Sequence, residues 1–222
     1  MERLSYSVRR SYVDRFMATQ AATFAAGAHL LDLGGHKGRK RGHFHIQRYP
    51  VQVTYANLVV DKGADIQADA ALLPLAGNSF DGVICAELLE HVPDPRPVLA
   101  EAFRVLKPGG RLLITAPFLF RVHGDPYDFG RYTQQFWQTT LAQSGFQHLV
   151  VEPQGALASV VVDFAKQYCD TRWRQPLYLL AQLGLGLLHE WAVRLDSQPT
   201  TVRDRFLQSF TTGFGVVAVK PG

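Results

Sequence analysis

Apolar and polar residues alternate along this chain in two ways. Short apolar runs rich in Leu, Ile and Val, bounded by turn-forming residues, predict β-strands, and longer segments with apolar residues three or four positions apart predict α-helices. Strand and helix signals follow each other in turn, which is typical of an α/β protein with a mainly parallel sheet. The predicted strands lie at 30–33, 51–61, 64–70, 82–86, 111–117, 146–153 and 214–221.

The predicted helices lie between these strands. Asp94 and Pro95 are suited to begin one of them, as cap and first-turn residue, and the residues 107–110 are expected to end it. An insertion, 154–213, separates the last two strands and is predicted to be mostly helical. With 222 residues, 47% of them hydrophobic, the chain can form one globular domain with a sizeable core. We therefore predict a single α/β three-layer sandwich over 1–222. Further helices are predicted at 5–26 and 133–144.

A glycine-rich turn follows the first predicted strand. Asp32 lies among the leucines of that strand, and Gly34, Gly35 and Gly38 come directly after it. Glycines let the backbone turn tightly and let a ligand lie against bare main chain. An acidic group beside such a turn suits a ligand that carries a positive amine and a nucleoside, as S-adenosylmethionine does. Dinucleotide enzymes use similar turns, so the turn by itself leaves both ligands open.

More carboxylates follow the other predicted strands. Asp61 ends the second strand, Asp69 lies near the end of the third and Glu87 follows the fourth. Ligands of open parallel sheets bind at the carboxyl ends of the strands, and an acid after the second strand commonly accepts hydrogen bonds from ribose hydroxyls. The sequence thus predicts one ligand cleft bordered by carboxylates from separate strands.

The net charge and the cysteine content indicate which partners and which compartment to expect. The net charge of +4 is compatible with an acidic partner but requires none. The basic residues within 37–48 are expected to form a solvated surface rather than a nucleic-acid site. Cys85 and Cys169 lie far apart without metal-binding spacing, so we expect a reducing compartment and no metal. The first residues contain no apolar stretch of signal-peptide length, and we expect a cytoplasmic location.

Four motifs follow one another in a fixed order: LLDLGG at 30–35, ADA-x-x-LP at 68–74, SFDGVICAELLEHVPDP at 79–95 and RVLKPGGRLLITAP at 104–117. Together they resemble the motifs of the class I S-adenosylmethionine-dependent methyltransferases, and within them the type 11 family. The resemblance implies a seven-stranded Rossmann-like sheet of order 3-2-1-4-5-7-6 with the last strand antiparallel. It also implies S-adenosyl-L-methionine as cofactor and S-adenosyl-L-homocysteine as product.

The resemblance also implies a set of cofactor-binding residues. Asp32 would lie near the methionine amine, and Asp69 near the adenine amine. His36 departs from the family, which has glycine there. Two alignments differ on the acidic residue that would bind the ribose. An alignment anchored on Asn57 places no acidic residue there, whereas an alignment on the end of the second strand places Asp61, which we favour for its charge. The implied cofactor residues are Asp32, Gly34, Gly35, Asp61, Asp69, Ala70, Ala86 and Glu87.

The loop at 118–133 is rich in functional groups and follows the fifth predicted strand. Methyl transfer to a hydroxyl needs an aligned nucleophile and the removal of a proton, for which His is well suited near neutral pH. We predict His123 as the base, or Asp125 as its orienter. An alternative is a self-bonded turn with a local ion pair. His91 and Glu90 are expected to anchor the loop. The predicted acceptor-binding residues are Tyr127, Asp128 and Arg131.

Together these features predict methyl transfer to a small-molecule acceptor, at oxygen. The segment PFLF-x-x-HGDPYDF-x-RYT at 117–133 resembles a subset of the family associated with surface polysaccharides or secondary metabolites, and this resemblance implies O-methylation of a sugar or secondary metabolite. A catalytically silent, methyltransferase-like binding subunit and a nicotinamide-dependent oxidoreductase are the alternatives. No Asn-Pro-Pro-Tyr motif occurs, and we do not expect a nucleic-acid substrate. The insertion at 154–213 is predicted to be a lid or a homodimer surface, with membrane-surface contact through 172–193 as the other interpretation.

Overall fold

The computed structural model describes residues 6–38, 42–59, 63–172 and 177–222, with side chains throughout except at 170–183. A seven-stranded sheet has the order β3-β2-β1-β4-β5-β7-β6. β7 runs antiparallel to both of its neighbours, and the other pairs are parallel. The predicted fold is thereby confirmed. The strands are β1 (His29–Leu33), β2 (Gln52–Asn57), β3 (Ile66–Gln67), β4 (Phe80–Ala86), β5 (Leu106–Pro117), β6 (Gln147–Pro153) and β7 (Gly213–Val219).

Helices cover both faces of the sheet. Successive residues of a strand point to opposite faces, so Leu30 packs in the cluster that α1 contributes to, and Leu31 packs in the cluster that contains α2 and α3 residues. Burial on both faces explains the nearly continuous apolar runs of the central strands. The helices are α1 (Val8–Ala21), α2 (Arg96–Val105), α3 (Gln134–Gln143), α4 (Leu157–Arg172), α5 (Leu177–Asp196), α6 (Pro199–Arg203) and α7 (Arg205–Ser209).

The strand predicted at 64–70 is reduced to β3, Ile66–Gln67, and two other predicted elements are also too long. The helix predicted at 5–26 begins at Val8, after the cap Ser7, and ends at Ala21, beyond which the chain turns. The strand predicted at 51–61 ends at Asn57, whose Nδ2 donates to the carbonyl oxygen of Gly35 at 3.1 Å. The apolar Leu58 beyond it is 63% exposed. Apolar character extended both predictions past the points where neighbouring segments stop the regular hydrogen bonding.

The segment 107–110 does not simply stop α2, as the sequence suggested, but belongs to β5. Leu106, which lies within the helix predicted to continue as far as 107–110, pairs instead with Phe80 of β4. The amide of Gly109 donates to the carbonyl of Lys220 at 2.9 Å, and the amide of Lys220 donates to Gly110 at 2.9 Å. Pairing with the end of the chain, which is distant in sequence, thus extends the strand through residues that locally favour a turn.

The insertion forms α4 to α7 and docks on α1 through buried polar groups. Lys166 is 1% exposed, and its Nζ donates to the carbonyl oxygen of Tyr6 at 2.6 Å and lies 2.9 Å from Nδ1 of His189. Asp163 accepts a hydrogen bond of 2.6 Å from the amide of Val8. Across the described ranges, none of the helices has the length and apolar character needed to cross a membrane.

Candidate active site

The carboxyl ends of β1, β4 and β5 meet at one edge of the sheet. β1 lies between β2 and β4, so the chain proceeds to opposite sides of the sheet from this point. Such a switch point opens a crevice between the loops that follow the two strands, and open α/β proteins bind their ligands there. The loops after β1, β4 and β5 carry most of the residues that the sequence analysis singled out.

The glycine turn after β1 packs around Asp32. Gly34 has φ +74°, and its amide donates to the carbonyl of Ala56 in β2 at 2.8 Å. A Cβ at Gly35 would overlap the carboxyl group of Asp32, so bare main chain is required there. The structure thus brings Asp32 and the two glycines together, as predicted. Sequence reasoning missed the role of Asn57 in holding Gly35; the signal was an amide at the end of an apolar strand.

The residues after β3 lie further along the same edge. Asp69 is exposed, and its Oδ1 accepts a hydrogen bond of 2.9 Å from the amide of Ala71. This bond shapes the turn that contains Ala70 and leaves Oδ2 available for a ligand. Asp61 lies outside the described residues, and its assignment to the ribose stays a prediction.

Glu87 follows Ala86 at the end of β4 and is held by α1. Its φ is +53°, and its amide donates to the carbonyl of Thr115 at 2.9 Å. Nε of Arg9 donates to Oε2 at 2.9 Å, and the other end of the guanidinium pairs with Oε1. Burial by itself would raise the pKa of Glu87, but the charge of Arg9 outweighs it and the pKa lies below its ordinary value. Arg9 is 2% exposed and was not singled out, because its partner lies 78 residues away.

The loop after β5 places His123 against Asp128. The amide of His123 donates to Oδ2 of Asp128 at 2.7 Å, and its Nδ1 lies 3.4 Å from the same oxygen. Arg131 donates to both oxygens of Asp128, at 2.5 and 2.8 Å, which forms the local ion pair that the sequence left open. Asp125 is exposed, so the carboxylate that orients His123 in the structure is that of Asp128. The side chain of Tyr127 is exposed as well.

Charge and burial set the protonation of this loop. Hydrogen bonding to Arg131 is the main reason that the pKa of Asp128 lies well below its ordinary value, so it stays ionised. Burial, and then the charge of nearby His91, lower the pKa of His123. His123 is therefore neutral near pH 7 and can accept a proton or bind a cation.

Glu90 and His91 lie in a 3-10 turn, Leu89–His91, between β4 and α2. The carbonyl of Glu90 accepts from the amide of Phe129 at 2.7 Å, and Nδ1 of His91 lies 2.5 Å from the carbonyl of Tyr127. These contacts anchor the loop after β5. The carboxyl of Glu90, however, is fully buried and accepts no hydrogen bond within the described part of the chain. Burial, and then the charge of Glu87, raise the pKa of Glu90 to about 8.

Comparison with known proteins agrees with this arrangement. Residues 31–114 match a family described as methyltransferase domain. The ubiquinone biosynthesis O-methyltransferase of Hahella chejuensis (strain KCTC 2396) is 33% identical over 108 residues, which are 46% of this chain and 42% of that protein. The chain spans less than half of the length of the curated relatives that it matches.

Solved structures share the fold. Phosphoethanolamine N-methyltransferase 2 of Haemonchus contortus, in complex with S-adenosyl-L-methionine, has a TM-score of 0.59 at 17% identity and covers 94% of this chain and 52% of its own. The cyclase SpnF has a TM-score of 0.58 at 20% identity and covers 96% of this chain and 80% of its own. The sheet order and the glycine turn define a class I methyltransferase fold. The match over 31–114 and the shared fold make this chain similar to the S-adenosylmethionine-dependent methyltransferases that its motifs resemble.

Proposed function

We propose that this chain transfers a methyl group from S-adenosyl-L-methionine to an oxygen of a small-molecule acceptor, a sugar or a secondary metabolite. One observation carries the proposal. The glycine turn with Asp32 and the neutral imidazole of His123 lie on loops that leave the same edge of the sheet, after β1 and β5. The first suits the cofactor and the second suits the activation of a hydroxyl.

The residues present fit the cofactor. The main chain at Gly34 and Gly35 gives a ligand an approach without side chains, and Asp32 can accept hydrogen bonds from the amino group of the methionine part. Oδ2 of Asp69 suits the adenine amine. The bound cofactor supplies a methyl group already activated by a sulfonium. The remaining predicted contacts are Asp61, Ala70, Ala86 and Glu87.

On the acceptor side, His123 is the group that acts on the oxygen. Asp128 accepts from the His123 amide and lies against Nδ1, so the other ring nitrogen, Nε2, is available as an acceptor. A proton leaving the hydroxyl would pass to Nε2 as the methyl group is transferred. Tyr127 and Arg131 belong to the same loop and are proposed to border the acceptor. Asp128 takes the orienting role that was predicted for Asp125.

The O-methyltransferase name of the curated relative supports oxygen as the acceptor atom, and its substrate is not carried over. Two measurements test the proposal. Calorimetric titration should show binding of S-adenosyl-L-homocysteine and no heat with NAD; the reverse would favour an oxidoreductase. Incubation with labelled cofactor and a panel of hydroxylated sugars and phenols should label at least one acceptor. Tight cofactor binding without any turnover would favour the silent binding subunit.

The fold alone does not decide among these outcomes. SpnF, a cyclase by name, shares the fold at similar TM-score, so the reaction depends on the side chains around the cleft. The cytoplasmic location, the homodimer and the membrane contact through 172–193 stay predictions.

A further inference from the structure

Three side chains on the acceptor side of the cleft converge on one point. Glu90, His91 and His123 each offer one ligand atom, and these atoms lie within 4.8 Å of one another. Oε1 of Glu90 is 3.7 Å from Nε2 of His91 and 3.8 Å from Nε2 of His123. These separations are too long for hydrogen bonds, so the three groups do not satisfy one another directly.

The other ring nitrogen of each histidine already has a partner. Nδ1 of His91 lies 2.5 Å from the carbonyl of Tyr127, and Nδ1 of His123 lies 3.4 Å from the Asp128 carboxylate and 3.3 Å from the carbonyl of Arg121. A carbonyl or carboxylate acceptor keeps the proton on Nδ1 and directs the lone pair of Nε2 toward Glu90. Histidines that bind metals are held in this way, by an acceptor on the nitrogen that does not bind the ion.

Packing fixes the two rings. The centroids of His91 and His123 are 4.9 Å apart, and Phe120 lies against His123 at 5.2 Å. Gly124 has φ +71°, and a Cβ there would lie 2.8 Å from Cε1 of His91. The rings therefore cannot turn away easily, and the carboxyl of Glu90 is enclosed with two imidazole lone pairs.

Neighbouring charges are already neutralised in pairs. Arg131 is bound to Asp128, and Arg9 is bound to Glu87. Glu90 is the carboxyl in this group that lacks a hydrogen-bond partner within the described ranges, although it is fully buried. A buried polar group of this kind costs stability unless something binds it.

We propose that Glu90, His91 and His123 form a binding site for a divalent transition-metal ion. Two imidazoles and one carboxylate suit Zn²⁺, Fe²⁺ or Co²⁺, and three protein ligands leave a coordination position open. Bonds of about 2.0–2.2 Å in a tetrahedral site place ligand atoms about 3.3–3.6 Å apart. The two distances from Glu90 to the histidines are within a few tenths of an ångström of this range, whereas the two histidine nitrogens, which lie within 4.8 Å, would have to approach each other by up to about 1.5 Å.

The ion would bind an oxygen of the acceptor as a Lewis acid and favour loss of its hydroxyl proton to water. In this metal-bound state Nε2 of His123 is a ligand, so its role as a free base applies to the chain without the ion. The role of the ion rests on the proposed function, whereas the binding site itself does not.

The test is a cobalt titration of the chelator-treated full chain, produced without a histidine tag. We expect one Co²⁺ per chain and visible absorption bands typical of four or five ligands. Glu90→Gln, His91→Gln and His123→Gln should each weaken binding at least tenfold, and Asp128→Asn should weaken it by about 10–100-fold because it orients a ligand. His148→Asn, at an exposed histidine of β6, is the control and should bind as the wild type does.

Circular dichroism and binding of S-adenosyl-L-homocysteine show whether each variant is folded. Wild-type binding no tighter than that of the Glu90→Gln variant would overturn the metal site, as would equal loss in the His148→Asn control. If the chain binds the metal but transfers no methyl group, the metal site stands and only the proposed function is contradicted. Full methyl transfer after chelation, with metal binding intact beforehand, would contradict only the role of the ion in the reaction.

Discussion

The ion pair between Arg9 and Glu87 is the buried contact that holds α1 over the end of β4, and its removal should be costly. Arg9 is 2% exposed and the Glu87 side chain 15% exposed. The change Arg9→Met keeps most of the apolar stem and leaves a carboxylate with little water and no counter-charge. Removing one partner of a buried pair costs about 3–5 kcal/mol, and the partial exposure of Glu87 places the expected loss near about 3 kcal/mol.

Urea unfolding followed by circular dichroism measures this loss. The double variant Arg9→Met with Glu87→Gln should be more stable than the sum of the single losses predicts, by about 1–3 kcal/mol, because neither charge is then left alone. Arg96→Met is the control. This change breaks the ion pair between Arg96 and Asp94, whose side chains are 68% and 49% exposed, respectively. It should change the free energy of unfolding by less than about 1 kcal/mol.

The pH dependence of the stability difference between wild type and variant tests the same ion pair. The pKa of Glu87 is lowered in the folded protein, so its contribution is present above its ordinary value of 4.5 and is lost as the pH falls below it. The stability difference between wild type and the Arg9→Met variant should therefore shrink below about pH 4.5. Strictly additive losses in the double variant, or a difference that does not change with pH, would refute the reasoning.

Three other predictions concern the cleft and the insertion. Asp32→Ala should abolish binding of S-adenosyl-L-homocysteine in calorimetry, and Asp69→Ala should weaken it by about 1.5–3 kcal/mol for each charge-assisted bond lost. The control variant Asp94→Asn should bind as the wild type does. Normal affinity in both the Asp32→Ala and the Asp69→Ala variants would refute the cofactor site. His123→Ala should keep this affinity and reduce turnover; normal turnover would exclude it from the reaction. Burial, and then the charge of Lys166, lower the pKa of His189 from 6.5 to about 4. Between these two pH values only the unfolded state takes up a proton at this histidine, so the melting temperature should fall as the pH is lowered from 6.5 to 4. The fall should be steeper in the wild type than in the His189→Gln variant.

Local patterns predicted the elements well and their ends less well. Asp32 and its glycines could be found from sequence because strand, acid and turn are contiguous, and the structure confirms that they form one unit. The segment 107–110 was misinterpreted because its pairing with Lys220 spans half of the chain. A turn signal in the sequence cannot show that a distant strand end will bind it.

Contacts that cross between loops were the hardest to predict. Arg9 and Glu87 are 78 residues apart, and no spacing rule connects them. In the loop after β5, both Asp125 and Asp128 were close enough in sequence to orient His123, and only the path of the backbone selects Asp128. Glu90 was predicted to anchor this loop, and it does so through its carbonyl rather than its carboxyl.

The two halves of the cleft differ in what they can specify. The cofactor half is built from main chain and from acids at strand ends, features that follow from the parallel sheet itself. The proposed acceptor half depends on one loop, which Glu90 and His91 hold by three hydrogen bonds and which the Asp128–Arg131 pair stabilises internally. Because a cyclase has the same fold, the sheet cannot determine the reaction. The chemistry proposed for this protein therefore depends on the loop, which places His123 beside the buried carboxyl of Glu90, a group without a hydrogen-bond partner among the described residues.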